Sequence, residues 1–571
     1  MKDRDVKARL FVWPILTTLV LAILIVQTNE YGATWDEFLY FKGVRGVVRH
    51  GVDILMGRGP DTKDIFGDLA LFGHTSRFVP FLLSQANVLQ VANLESLTDA
   101  QKFLLGSFTS LNHLSSVVFG WMTGCLLSVV AWKSGRRYLS ALVFFLIVLF
   151  PEWTGSSFFN NSDIPQAFMF TCFSLTWAVQ GWLGFVSDNA DRKRIWIWAT
   201  LAGVWAGLSV STRPGSVVFI CFYYIALLAL VYVLRKTGRW GMTLLSIGIS
   251  MIIASIVFYL TYPQGWDRWP WQSIYEAVGY ISDRQKGSVV EAATYLANQL
   301  YESLPLLYVV GLVSLIYVFF NRIIESRINC RVYLTRLCQD KWFWIYLSMI
   351  LQVMVPIILV SLSGTILYNR LRHIMLIYPP LVMLSSLGLQ LALTGETTSA
   401  KHFYRISIAV VSIFTVAEIV LLSPYQYTYK SDVSRLVDLR FGTAEHTKSR
   451  YYGLNNDYYG AAQKRLFAFC VEDKSCLSEL VNSHDGVRQS NGIVADSGSF
   501  NKELFDASRL LFLRPEKERE PQDGPKRGFY LFSTNKFRDL DDSNCSITNS
   551  LTRQILVPVK KASIGELLFC N

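Results

Sequence analysis

The chain has 571 residues, 51% of them hydrophobic and only 17% charged, with a formal net charge of +11. A soluble domain carries about 25% charge, so a wholly soluble globular protein is excluded. The surplus Lys and Arg sits in short segments between apolar blocks, an orientation signal in membranes and not the footprint of a nucleic-acid binder.

A helix needs about 20 apolar residues to cross the hydrocarbon core. Blocks that meet or approach this are Leu10–Gln27, Gly106–Trp132, Tyr138–Phe150, Ile164–Val186, Ile195–Ser211, Gly215–Leu234 and Met242–Tyr262. Leu304–Ile324, Trp342–Leu362, His373–Leu393 and Ile406–Leu422 follow. They predict a polytopic α-helical membrane domain over residues 1–423 with about eleven transmembrane helices, Tyr138–Phe150 being the shortest. No small-residue cleavage site follows the first block, so it reads as a span and not as a leader. With the N-terminus (Lys2, Arg4, Lys7, Arg9) inside, alternate loops fall inside too: KSGRR, DRKR, RKTGR, the segment 321–341, and a loop with Lys401 and Arg405. All are basic, as the positive-inside rule requires. Two outer loops are long. Residues 28–105 alternate apolar and polar residues in the manner of interfacial helices, and residues 263–303 form a Trp-rich surface flap.

Asp36 and Glu37 follow the first span, in YGATWDEFLY. A carboxylate held beside apolar residues at the bilayer surface can serve as a general base, although a solvated acidic pair has the same spelling. His74, in LFGHTSRF, reads as a packed loop histidine with a functional alternative. Asp163, in FFNNSDIPQ, is placed to cap the next span, with Pro165 in its first turn. Arg213, in STRPG, and Arg370, Arg372 and His373, in YNRLRHIML, put cations on the outer face against the orientation rule. Binding of an anion such as a lipid phosphate accounts for them, and snorkelling to headgroups is the plainer explanation. Glu418, inside the last block, is a membrane-embedded acid with no assignable role.

Residues 424–571 read as soluble protein and predict a small extracytoplasmic α/β domain. Its four cysteines, Cys470, Cys476, Cys545 and Cys570, suggest two disulfides and an oxidising compartment, with Cys470–Cys476 and Cys545–Cys570 the simplest pairing. Cys125, Cys172 and Cys221 fall in apolar blocks, and Cys330 and Cys338 in a basic inner loop. The chain has neither GxxxxGK[ST] nor GxGxxG, no zinc-type Cys/His spacing and no internal repeat.

The ordered series WDE, GHTSRF, FFNNSDIP, STRPG, YNRLRHIMLIYPPL, SPYQYTY and NDYYGAA resembles the GT-C superfamily of membrane glycosyltransferases. The likeness is to the branch of protein O-mannosyltransferases and lipid A aminoarabinose transferases. It runs from about Trp35 to Gly460. It implies a catalytic base at Asp36 with Glu37 beside it, a second essential acid at Asp163, and a donor phosphate held among Arg213, Arg370, Arg372 and His373. Many bacterial relatives have Pro-Lys before the DIP aspartate and Pro after the first-loop histidine; this chain has Asn161-Ser162 and Thr75. Those departures bear on the identity of donor and acceptor more than on the reaction.

The implied reaction moves a sugar from a polyprenyl-phosphate donor to a hydroxyl of a lipid, glycan or protein acceptor, on the extracytoplasmic side of a bacterial inner or plasma membrane. A single inverting displacement needs a carboxylate to take the acceptor proton and cations to stabilise the departing phosphate. A divalent cation at the phosphate is compatible with this chemistry, and nothing in the sequence assigns one. A lipid-linked sugar transporter or flippase is the alternative of another class; it predicts polar and charged residues threaded through the spans. A GT-C oligosaccharide or arabinofuranosyl transferase is the alternative within the same class.

Overall fold

The structure is a computed structural model that describes residues 2–28, 56–57, 97–158, 160, 162–186, 192–233, 240–262, 287–326, 337–365 and 371–394. It also describes parts of 409–421, residue 431, and residues 487–489, 493–494, 528–532, 545–556 and 559–570. Twelve helices and one 3-10 turn make up the described part of the membrane domain. They are α1 (Lys2–Thr28), α2 (Leu97–Lys133), α3 (Arg137–Val148), α4 (Pro151–Ser157), α5 (Asp163–Val186) and α6 (Arg192–Thr212). They continue as α7 (Ser216–Val233), α8 (Trp240–Thr261), α9 (Val289–Ser303), α10 (Leu306–Ser326), α11 (Lys341–Leu362), the 3-10 turn Arg372–Ile377 and α12 (Tyr378–Thr394).

Six of these helices contain stretches long and apolar enough to cross a membrane, or up to eight spans if each of two bent pairs counts as one. The chain is an integral membrane protein. Its exposed side chains include Ile225, Leu244, Ile252, Leu260, Ile316 and Ile358. In water such continuous apolar coverage would drive association; in hydrocarbon it costs nothing.

Two expectations change shape. Tyr138–Phe150 does not cross as one straight helix: α3 has 12 residues, about 18 Å of rise against a core of about 30 Å. The chain bends by 64° and continues as α4, and the two together form one of the bent pairs. The 263–303 loop ends in a regular helix, α9, which meets α10 at 112°. Its start is a capping box: Ser288 Oγ accepts from the Glu291 N–H at 3.1 Å, and the Glu291 carboxylate accepts from the Ser288 N–H. Of the eleventh block only fragments between 409 and 421 are described, helical where they are.

Helix α5 is the axis of the bundle, with residues 162–178 all buried. It packs against α6, α11 and α2, while α6 pairs with α8 and α10 with α12. Large aromatic side chains fill the centre: Trp153, Trp177, Trp344, Tyr223, Tyr308 and Tyr378 are essentially inaccessible. The spans are less clean than the sequence suggests. Gln166 donates to Ser216 at 2.8 Å, Ser174 bonds Tyr223, and Gln180 donates to Ser246 at 3.2 Å, which makes a polar seam along α5. These amide N–H and hydroxyl groups bond between helices, the usual adhesive where no hydrophobic effect is available, although Gln166 and Gln180 each bury Oε1 without a hydrogen-bond partner among the described residues.

Described residues of the KSGRR segment and of 321–341 meet at one end of the bundle. Trp182 Nε1 donates to the Gln339 carbonyl at 3.1 Å, Phe185 packs on Trp344, and Tyr346 bonds Ser134 beside Arg136. Asp163 lies at the other end of α5, a helix of 24 residues that rises about 36 Å. Cys338, just before α11, is buried at the basic end, and burial pushes its thiol up to about 11.

In the tail, the described residues form a five-stranded sheet of β1 (Val487–Gln489), β2 (Ile493–Val494), β3 (Gly528–Phe532), β4 (Cys545–Leu556) and β5 (Val559–Cys570). The order is β2-β1-β3-β5-β4, with β1 and β3 parallel and the other pairs antiparallel. The long β4–β5 hairpin sets Cys545 directly opposite Cys570. Cys470, Cys476 and Cys330 lie outside the described residues.

Candidate active site

The site is built at the corner where the chain leaves α4 and enters α5. Pro151 opens α4, where its missing N–H costs nothing. Asp163 is the first residue of α5 and not its cap: the Gln166 N–H donates to the Ser162 carbonyl at 3.1 Å, which puts the cap at Ser162. Asn160 does the local capping instead. Its Oδ1 accepts from the Asp163 N–H at 3.1 Å, and its Nδ2 donates to Asp163 Oδ2 at 2.8 Å.

The other carboxylate oxygen, Oδ1, pairs with the Arg213 guanidinium. Asp163 is 0% exposed and Arg213 13%, so this is a buried ion pair at one end of the bundle. Arg213 is fixed by a tight α6–α7 junction, where its N–H bonds the Ser209 carbonyl and its own carbonyl accepts from the Ser216 N–H, both at 2.9 Å. It also donates to Ser162 Oγ at 3.2 Å. Taking a carboxylate out of water costs several kcal/mol unless it is paired and hydrogen-bonded. Arg213, the Asn160 amide and the N-terminal dipole of α5 together offset that cost. Both oxygens of the acid are thus engaged, one by Arg213 and one by Asn160.

The third element is the 3-10 turn. Asn160 Nδ2 lies 3.8 Å from Met375 Sδ, so the turn seats directly on the Asp163 corner. Arg372 and His373 open the same turn, within about 6 Å along its axis at 2 Å per residue. The structure thus brings together Asp163, Arg213 and the backbone positions of Arg372 and His373. Asp36, Glu37, His74, Arg370 and Glu418 lie outside the described residues.

Three participants were not singled out in the sequence. Asn160 orders the corner; its signal was an Asn three residues before an Asp at a helix start, where its side-chain oxygen can accept that residue's N–H. Glu152 is 4% exposed and accepts a hydrogen bond from the Tyr378 hydroxyl at 2.7 Å. It sits between two apolar blocks and so passes for a loop residue, whereas an acid inside a bundle is a functional suspect by position. On α2, Ser116 Oγ donates to the Asn160 carbonyl at 2.9 Å. One turn earlier Asn112 buries both amide atoms without a hydrogen-bond partner among the described residues.

Among the described residues no three His, Cys, Asp or Glu side chains group in a metal-binding arrangement. A shallow hollow lined by Lys193, Trp196, Ile197, Thr200 and Leu201 lies on the N-terminal half of α6, about 17–29 Å along that helix from Thr212.

No family model and no curated protein matches the chain. Among solved structures, the chain aligns with ArnT in two states. The crystal structure of ArnT from Cupriavidus metallidurans bound to undecaprenyl phosphate aligns with 97% of this chain and 97% of its own, at 13% identity and a TM-score of 0.44. The same protein in the apo state aligns with 98% of each chain, at 12% identity and a TM-score of 0.42.

Proposed function

We propose that this protein is a membrane glycosyltransferase that moves a sugar from a polyprenyl-phosphate donor to an acceptor hydroxyl. The observation that carries this reading is the corner where the Asp163–Arg213 pair, ordered by Asn160, meets the turn that begins with Arg372 and His373. A departing polyprenyl phosphate needs fixed cations in a water-poor site and no strong acid. Arg213 is neutralised by Asp163 and anchors the corner, which leaves Arg372, His373 and Arg370 as the groups that grip phosphate. Asp36, with Glu37 beside it, remains the proposed base for a single inverting displacement. The corner is the extracytoplasmic end of the bundle in this reading, because described residues of two basic segments, 133–137 and 321–341, lie at the other end.

A transporter predicts charged residues along a path through the spans. The polar seam on α5 is instead made of paired amides and hydroxyls, which suits helix adhesion.

The test uses purified protein, a labelled polyprenyl-phosphate sugar and extracts of candidate acceptors, with wild type beside Asp36→Asn. Wild type should transfer sugar and Asp36→Asn should lose at least 100-fold in kcat, on the order expected for a general base. Turnover that survives the substitution removes Asp36 from the mechanism, and transbilayer movement of donor without transfer favours the transporter.

A further inference from the structure

We infer that Glu152 is a positioning residue, whose bond to Tyr378 sets the place of the 3-10 turn Arg372–Ile377 and thereby the affinity for the lipid-linked donor. The inference rests on the reading above, in which that turn carries phosphate-binding groups. The turn is mounted at three points. At its middle, Met375 touches Asn160 of the Asp163 corner at 3.8 Å. Near its end, the Leu376 carbonyl accepts from Gln352 Nε2 at 2.7 Å, and the same amide reaches Thr171 Oγ1 on α5 at 3.0 Å. Immediately after it, the Tyr378 hydroxyl donates to Glu152 Oε2 at 2.7 Å.

The third mount has a reason to exist. A 3-10 turn has poorer hydrogen-bond geometry than an α-helix and does not hold its own orientation well. Here it is kinked as well, with Ile374 outside helical φ/ψ (φ −123°, ψ 31°). External contacts must therefore define its direction. Tyr378 is suited to this, since its ring is fully buried and lies 4.6 Å, centroid to centroid, from Phe150, the residue at the α3–α4 bend. Glu152 follows Phe150 by two residues, so one short corner holds Tyr378 by ring and by hydroxyl together. An acid is a costly choice for a purely apolar layer, and an acceptor for one hydroxyl is the use the geometry gives it.

The experiment compares donor kinetics of wild type, Glu152→Ala, Glu152→Gln and Tyr378→Phe, and adds a labelling readout. Leu371, buried at the head of the turn, is changed to Cys in the wild-type, Glu152→Ala and Glu152→Gln backgrounds, and its reaction with a maleimide is followed by peptide mass spectrometry. Loss of one buried hydrogen bond should raise donor KM about tenfold in Glu152→Ala and Tyr378→Phe, with kcat within about twofold of wild type. Glu152→Gln should stay near wild type, because its amide oxygen still accepts the Tyr378 hydroxyl. Leu371→Cys should label at least about five times faster with Glu152→Ala and at the wild-type rate with Glu152→Gln. Unchanged KM and unchanged labelling in Glu152→Ala would overturn the inference, as would a collapse of kcat in Glu152→Gln, which would mean that the charge itself acts. Should Glu152→Ala not be recovered folded, Tyr378→Phe, which deletes a single oxygen, carries both comparisons. If wild type transfers no sugar, the proposed function fails, while the labelling rates still decide whether Glu152 mounts the turn.

Discussion

Asp163 shows how one residue can be found by its spelling and still be assigned the wrong local job. The sequence places an acid before a Pro-containing first turn, which suggests a cap; in three dimensions the cap falls to Ser162 and Asn160, and the acid turns to Arg213, 50 residues on. No periodicity encodes that partner, because the tight α6–α7 junction alone delivers it. The pairing has a measurable consequence. Breaking a buried pair from one side costs about 3–5 kcal/mol, since the other charge is left uncompensated. Asp163→Asn and Arg213→Gln should each lower stability in detergent by about that amount, and the double variant should lose clearly less than their sum. Strictly additive losses in a denaturation cycle would show that the two side chains are not coupled. Glu152 was missed for a related reason: its role depends on Tyr378, 226 positions away, and neither residue is unusual alone.

Among the elements, helix existence was legible and helix shape was not. Apolar runs of membrane length recur where α2, α6, α7, α8, α11 and α12 stand, because hydrocarbon leaves the backbone no other way to satisfy its polar groups. The breaks at Leu149–Phe150 and before α10 each precede a proline, Pro151 and Pro305, which marks a helix boundary; the angle of the bend depends on what the segments pack against. The contact between α6 and α8 lies between these cases. Gly203 and Gly207 form a G-x-x-x-G stripe, and a Cβ on Gly207 would lie 2.6 Å from the Ala254 carbonyl oxygen and 2.7 Å from Val257 Cβ. Backbone cannot give way as a side chain can. Gly207→Ala should therefore destabilise by about 1–3 kcal/mol and Gly207→Leu should prevent correct assembly, as read by thermal shift and by size-exclusion profile. The same change at Gly184, where a Cβ meets nothing within 4 Å, is the control and should be silent.

On the scale of the whole molecule, the positive-inside pattern and the tail cysteines are two independent statements about sidedness that can be tested together. Single cysteines introduced at 193 and 237 should react only with reagent that reaches the inside. Peptide mapping without reduction should recover Cys545 joined to Cys570, whose strands the β4–β5 register sets opposite one another, at the Cα separation a disulfide needs. Labelling of both 193 and 237 from the outside would move the α3–α4 pair out of the membrane, and free thiols at both tail cysteines would remove the argument for an oxidising compartment. The sequence by itself determined the environment of this protein, a membrane, because hydropathy is a local property summed along the chain; the placement of Lys and Arg supplies the direction it predicts. It also marked most of the polar residues worth suspicion. What only the tertiary structure decided is which of them meet. The Asp163–Arg213 pair, the seat of the 3-10 turn on Asn160 and the Glu152–Tyr378 bond each join residues far apart in sequence, and such contacts exist only once the helices have packed around α5.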